Sequence, residues 1–113
     1  MNFYTSTRGN KNEAAVVLLH GLLGSSRNMM RIQEALSNSG FYTLSFDQRG
    51  HGHSPHFHKT DYTLDFLVKD LFQIADHFEI KKMHIVGHSL GGRVSMLAVA
   101  KEPSRFLSLS MLD

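Results

Sequence analysis

Four short, predominantly apolar runs constrain this chain more than any other feature. They are Ala15 to Leu19, Phe41 to Phe46, Met83 to Val86 and Phe106 to Leu112. Each is too short for a buried helix and rich in aliphatic, β-branched or aromatic residues. Such runs are expected to be strands buried on both faces or nearly so, as in a parallel sheet. Each stops at a polar residue or glycine: His20-Gly21, Asp47, Gly87 and Asp113.

Helical patterns fill the gaps. Asn28 to Ser37 follows Ser25-Ser26, either of which can cap a helix, and runs out near Gly40. Leu64, Leu67, Val68, Leu71, Ile74, Ala75 and Phe78 recur at three- and four-residue steps, a single apolar stripe with Thr63 as its N-cap. Leu90 to Ala100 forms a third helix, ended by Pro103. Asn2 to Thr7 is a candidate extra strand. Strand and helix alternate, and parallel strands need crossover connections that these helices can supply. The fold class is α/β, a mostly parallel sheet with right-handed crossover helices on both faces. No linker or internal repeat divides the 113 residues, so they read as one domain.

Composition excludes several functions. Twelve Lys and Arg against ten Asp and Glu leave a small net charge, and apart from Lys81-Lys82 the basic residues are dispersed. No nucleic-acid-binding stripe follows from that. The longest apolar runs are far short of a membrane span. Met1 to Thr7 lacks the basic start and apolar middle of a signal peptide. Cysteine is absent, which excludes disulfides and thiolate metal sites and suits a reducing compartment, so a cytoplasmic location is expected.

Three strand ends carry chemistry. Gly87-His88-Ser89-Leu90-Gly91-Gly92 fits G-x-S-x-G with a strand before it and a helix after it. A serine on so sharp a turn takes a strained backbone, and its hydroxyl stands at the positive end of the next helix. Ser89 is therefore the candidate nucleophile. His20-Gly21-Leu22-Leu23-Gly24 follows the first run. A tetrahedral oxyanion needs two backbone N–H donors, and these are expected to be Leu22 and Leu90. Leu23 and Met29 are candidate substrate contacts, with Met30 beside them. The third motif is Asp47-Gln48-Arg49-Gly50-His51-Gly52-His53-Ser54-Pro55. Here Asp47 and Arg49 are read as hydrogen-bonders that pin the loop. His51, His53, His56 and His58 cluster in sequence, but no carboxylate pattern accompanies them, and no metal is expected.

Together these motifs resemble the α/β-hydrolase superfamily over nearly the whole chain, from about Val16 to Asp113. The run from His20 to Asn28 and Ser54-Pro55-His56 look most similar to the small bacterial esterases of the YbfF type and their abhydrolase-domain relatives. Leu90 stands where such esterases often carry Met, and Met29 where an aromatic is common, which leaves the acyl preference open. The resemblance implies an esterase or thioesterase cleaving short-acyl substrates through an acyl-enzyme on Ser89, without metal or organic cofactor. It also implies a triad in the order Ser, acid, His. Asp113 ends the fourth run, where some members place the acid; the other reading is a strand-end Asp in solvent. All eight histidines lie at or before His88. The chain therefore reads as the N-terminal part of a longer hydrolase, inactive alone, with the base, last strands and lid beyond Asp113. Two other functions stay open. One is a non-catalytic binding module on the same fold. The other is a carbon–carbon bond hydrolase or haloperoxidase-like chemistry using the same elbow.

Overall fold

A computed structural model of the protein describes residues 2–54 and 63–112. Five strands form one sheet: β1 (Thr5–Arg8), β2 (Ala15–Leu19), β3 (Tyr42–Phe46), β4 (Met83–His88) and β5 (Phe106–Leu112), in the order β1-β3-β2-β4-β5. All neighbours are parallel except β1, which runs antiparallel to β3. Three helices connect the parallel strands: α1 (Met30–Asn38), α2 (Leu64–His77) and α3 (Leu90–Lys101).

The strand order explains the helix placement. The chain steps from β2 to β3 in one direction, then from β3 to β4 and from β4 to β5 in the other. Right-handed crossovers moving in opposite directions must put their helices on opposite faces. The two cores agree. On one face Ile32 and Leu36 of α1 pack on Val16, Leu18, Met29 and Val86. On the other, α2 and α3 bring Leu67, Leu71, Ile74, Val94 and Ala98 onto Val17, Leu19, Leu44 and Ile85. Successive residues of β2 thus feed different cores, which is why that run is apolar without alternation.

Local chemistry sets the ends. Ser25 caps a 3-10 turn at Ser26–Met29 that leads into α1: its hydroxyl accepts from the Arg27 amide, and Asn28 Oδ1 accepts from the Ser25 amide at 2.8 Å. The helical stretch thus begins as a tighter turn than the expected helix from Asn28. Thr63 caps α2, accepting from the Phe66 amide at 3.3 Å. α3 stops at Lys101, and Pro103 opens a second 3-10 turn, Pro103–Arg105.

β5 stands at the edge of the described sheet, and Leu107, Met111 and Leu112 are exposed, as expected of a parallel strand that ends the chain's sheet. The expected N-terminal strand is present but shifted, pairing Thr5–Arg8 with Thr43–Phe46. Among the described residues, no helix is long and apolar enough to cross a membrane.

Candidate active site

β2 and β4 are neighbours whose onward connections run in opposite directions. Their carboxyl ends therefore flank a topological switch point, where a crevice opens above the sheet. The motif after β2 and the motif at the end of β4 meet there.

Ser89 sits between β4 and α3 with φ 54° and ψ −112°, a conformation outside the usual regions for a side-chain-bearing residue. Two close approaches hold it there. A Cβ on Gly87 would overlap the Gly91 carbonyl and reach within 2.6 Å of Ser95 Oγ. A Cβ on Gly91 would overlap the Leu19 carbonyl and lie 2.7 Å from the His20 carbonyl oxygen. The start of α3 is thus pressed against the end of β2, and glycine is required at both positions. Ser95 Oγ donates to the Gly91 carbonyl at 2.6 Å and ties the first turn down. The result is an exposed Ser89 at the head of a helix.

The first intrahelical bond of α3 runs from the Arg93 amide to the Ser89 carbonyl at 3.1 Å. The amides before Arg93, including that of Leu90, precede the ladder and are the orphan donors of a helix start. The Leu90 side chain is buried in the core shared with α2.

Gly21 to Gly24 form a tight turn closed by the Gly24 amide donating to the Gly21 carbonyl at 3.0 Å. Leu23, its third residue, has φ 63° and is 91% exposed, an unusual position for a large apolar side chain. Leu22 is also exposed. Leu22, Leu23 and Met29 line a cavity of ≈ 530 Å³ with Gly21, Gly24, Asn28, Ile32, His88 and Leu112. Met29 belongs to the α1 core as well, so one side chain serves both. Leu90 and Met30 stand outside that lining. Asp113 lies outside the described residues.

The loop after β3 braces this crevice. Asp47 accepts from the Ser26 amide at 2.7 Å and the His53 amide at 2.9 Å. Burial pushes its pKa up, but the amide bonds from His53 and Ser26 outweigh that and hold it below the usual carboxylate value. Arg49 makes a two-pronged bond to Asp70 of α2, at 2.6 and 2.8 Å, and lies over the Phe66 ring. Both residues pin the loop, as the sequence suggested. Three of the described histidines are engaged elsewhere: His20 with Gly21 and Gln48, His51 with the Arg49 carbonyl, and His84 with Ser108. Among the described residues no grouping of side chains could hold a metal ion; His56 and His58 lie outside them.

Residues 14–113 match the α/β-hydrolase fold family. The chain belongs to this family. It is 38% identical over 104 residues to ethanol acetyltransferase 1 of Hanseniaspora uvarum, covering 89% of this chain and 30% of that protein. It is 34% identical to the sn-1-specific diacylglycerol lipase ABHD11 of Danio rerio, over 93% of this chain and 33% of the relative. Among solved structures, a marine microorganism esterase superposes with a TM-score of 0.90 at 29% identity, over 98% of this chain and 41% of the esterase. The chain thus spans less than half the length of each of these relatives.

Within this α/β-hydrolase, sequence reasoning missed part of the site. Asn28, Ile32, His88 and Leu112 reach the cavity from four different elements. Their only signal was proximity to a motif, which says nothing about which way a side chain points. Gln48, between Asp47 and Arg49, was given no role. It is 2% exposed and bonded twice to His20.

Proposed function

We propose that this chain supplies the nucleophile and both oxyanion donors of a serine esterase or thioesterase acting on short acyl groups. The strained, exposed Ser89 at the switch-point crevice carries this reading. Strain held by close packing at a crevice is a mark of pre-organisation.

Ser89 Oγ attacks the acyl carbonyl, and its proton passes to a histidine base. The carbonyl oxygen becomes an oxyanion that accepts from the Leu22 and Leu90 amides. The tetrahedral species collapses to an acyl-enzyme, and the alcohol or thiol leaves with the proton. Water then repeats the cycle and releases the acid. Leu23 and Met29, in the apolar wall of the cavity, contact the acyl group. No histidine follows Ser89 in the 113 residues, and in this fold the base follows the acid. Asp113, directly after β5, is the candidate acid, and the base is a histidine further along a longer chain. The 113 residues are one partial domain of that enzyme, which we place in the cytoplasm. Relatives named as a lipase and an acetyltransferase support acyl chemistry at such a site.

The test is hydrolysis of p-nitrophenyl acetate and butyrate by the product of the native gene, with and without Ser89→Ala. The variant is expected to lose at least about 10³-fold in kcat. A fluorophosphonate should label the parent and not the variant. Retained ester turnover in Ser89→Ala, or a parent that neither turns over esters nor takes the label, refutes the proposal; the second outcome favours a binding module.

A further inference from the structure

The proposed oxyanion donor Leu22 N–H belongs to the same peptide unit as the Gly21 carbonyl. In a trans peptide these two groups point in opposite directions. Whatever holds the Gly21 carbonyl therefore aims the Leu22 amide.

Two donors hold it. One is the Gly24 amide at 3.0 Å. The other is His20 Nδ1 at 2.7 Å. A carbonyl only accepts, so Nδ1 carries the proton. His20 Nε2 lies 3.0 Å from the Gln48 amide, which only donates, so Nε2 must be bare. His20 is thus a neutral imidazole in one tautomer, fully buried, with each ring nitrogen matched. The Gln48 side chain adds a third contact: its Nε2 donates to the His20 carbonyl at 2.9 Å. That bond fixes the preceding peptide unit, the one joining His20 to Gly21. Two consecutive peptide planes leading to the donor are therefore clamped, one by Gln48 and one by His20.

We propose that His20 and Gln48 together are positioning residues that aim the Leu22 amide at the developing oxyanion. The proposal rests on the esterase reading above. Neither side chain needs to touch substrate. Their effect is to hold a donor in place before charge develops, which matters in the transition state and little in the ground state. A clamp of this kind predicts a specific kinetic pattern, distinct from loss of fold.

The test uses the product of the native gene and four variants. His20→Leu removes both ring contacts. His20→Asn keeps an N–H donor near the Nδ1 position. Gln48→Met removes the side-chain bond at similar volume and leaves the backbone amide. Ser89→Ala reports on the reading itself. His20→Leu is expected to lower kcat for p-nitrophenyl acetate by about 10²-fold, the scale of one lost oxyanion donor, with KM within a few-fold. A phenylboronic acid, which mimics the tetrahedral species, should lose affinity in proportion. Gln48→Met is expected to lose about tenfold in both measures, and His20→Asn to recover most of the loss. Nitrogen-15 spectra of the imidazole should show Nδ1 protonated and Nε2 bare in the parent.

The outcomes separate. If Ser89→Ala abolishes turnover but His20→Leu and Gln48→Met leave kcat and boronate affinity unchanged, the clamp is wrong and the esterase reading stands. A rise in KM at constant kcat, or the opposite tautomer, also overturns the clamp. If turnover does not depend on Ser89, both fall. Where His20→Leu fails to fold, the decision passes to Gln48→Met, His20→Asn and the tautomer.

Discussion

Ser89 and Gly91 share one constraint at the residue scale: the start of α3 has no spare room against the end of β2. Gly91→Ala would drive a methyl into the Leu19 and His20 carbonyls. Backbone cannot yield as a long side chain can, so a loss of about 2 kcal/mol or more is expected, measured by urea denaturation. Gly87 was legible in the sequence because the contact that demands it, with the Gly91 carbonyl, is local, whereas the carbonyls that demand Gly91 belong to a distant strand end. Gln48 was not legible. Its role depends on β3 lying beside β2, which brings residues 28 positions apart into contact. No spacing rule marks one position in a polar loop as buried.

At the scale of the element, the helices followed their apolar periodicity closely. α2 begins after its Thr63 cap, as its stripe predicted, because cap and stripe are properties of adjacent residues. Its other end carries a cost. Glu79 follows the C-cap with φ 60°, while the Ile80 amide bonds back to the Ala75 carbonyl at 2.9 Å. Glycine is the usual residue at such a site. Glu79 is exposed, so its side chain packs on little. Glu79→Gly is expected to stabilise the protein by about 1 kcal/mol, read as a rise in Tm. A fall in Tm would mean that the Glu79 side chain contributes more than its strained backbone costs. Strand exposure was less legible than helix phase. β5 has the composition of a buried strand, but burial depends on what lies beside it, and among the described residues β4 is its strand neighbour.

Over the whole molecule, the Arg49–Asp70 pair joins the loop after β3 to α2 across the core face. Both side chains are almost wholly buried. Removing the Asp70 carboxylate breaks the two-pronged bond to a buried guanidinium, so Asp70→Ala is expected to cost about 3 kcal/mol, read as a lower urea midpoint. The double variant Arg49→Met with Asp70→Leu should recover much of that loss, which a double-mutant cycle would measure. Acid should also weaken the fold through two separate groups. Burial first, with the nearby His51 adding to it, lowers the His20 pKa below its ordinary 6.5. Asp47 is held below its ordinary 3.8 by amide bonds that outweigh its burial. Both groups have depressed folded-state values, so the unfolded chain binds more protons as pH falls. The His20 contribution is complete above pH 6.5 and is lost as pH falls through its lower folded value. The Asp47 contribution begins to fade only below pH 3.8. A urea midpoint that begins to fall just under pH 6.5, and stays flatter there in His20→Asn, is the expected result.

The sequence alone determined where strands, helices and elbow lie along the chain. Those features rest on side-chain periodicity and on backbone limits at glycine and serine, which act between near neighbours. It also marked Ser89 as the candidate nucleophile, because the G-x-S-x-G pattern falls between a strand and a helix. Tertiary structure decided what surrounds that serine. The reversal of direction between β2 and β4 made the crevice, and the adjacency of β2 and β3 set His20 against Gln48. Those are long-range packing facts: they follow from which strands pair and which face each helix covers, and no stretch of neighbouring residues encodes them.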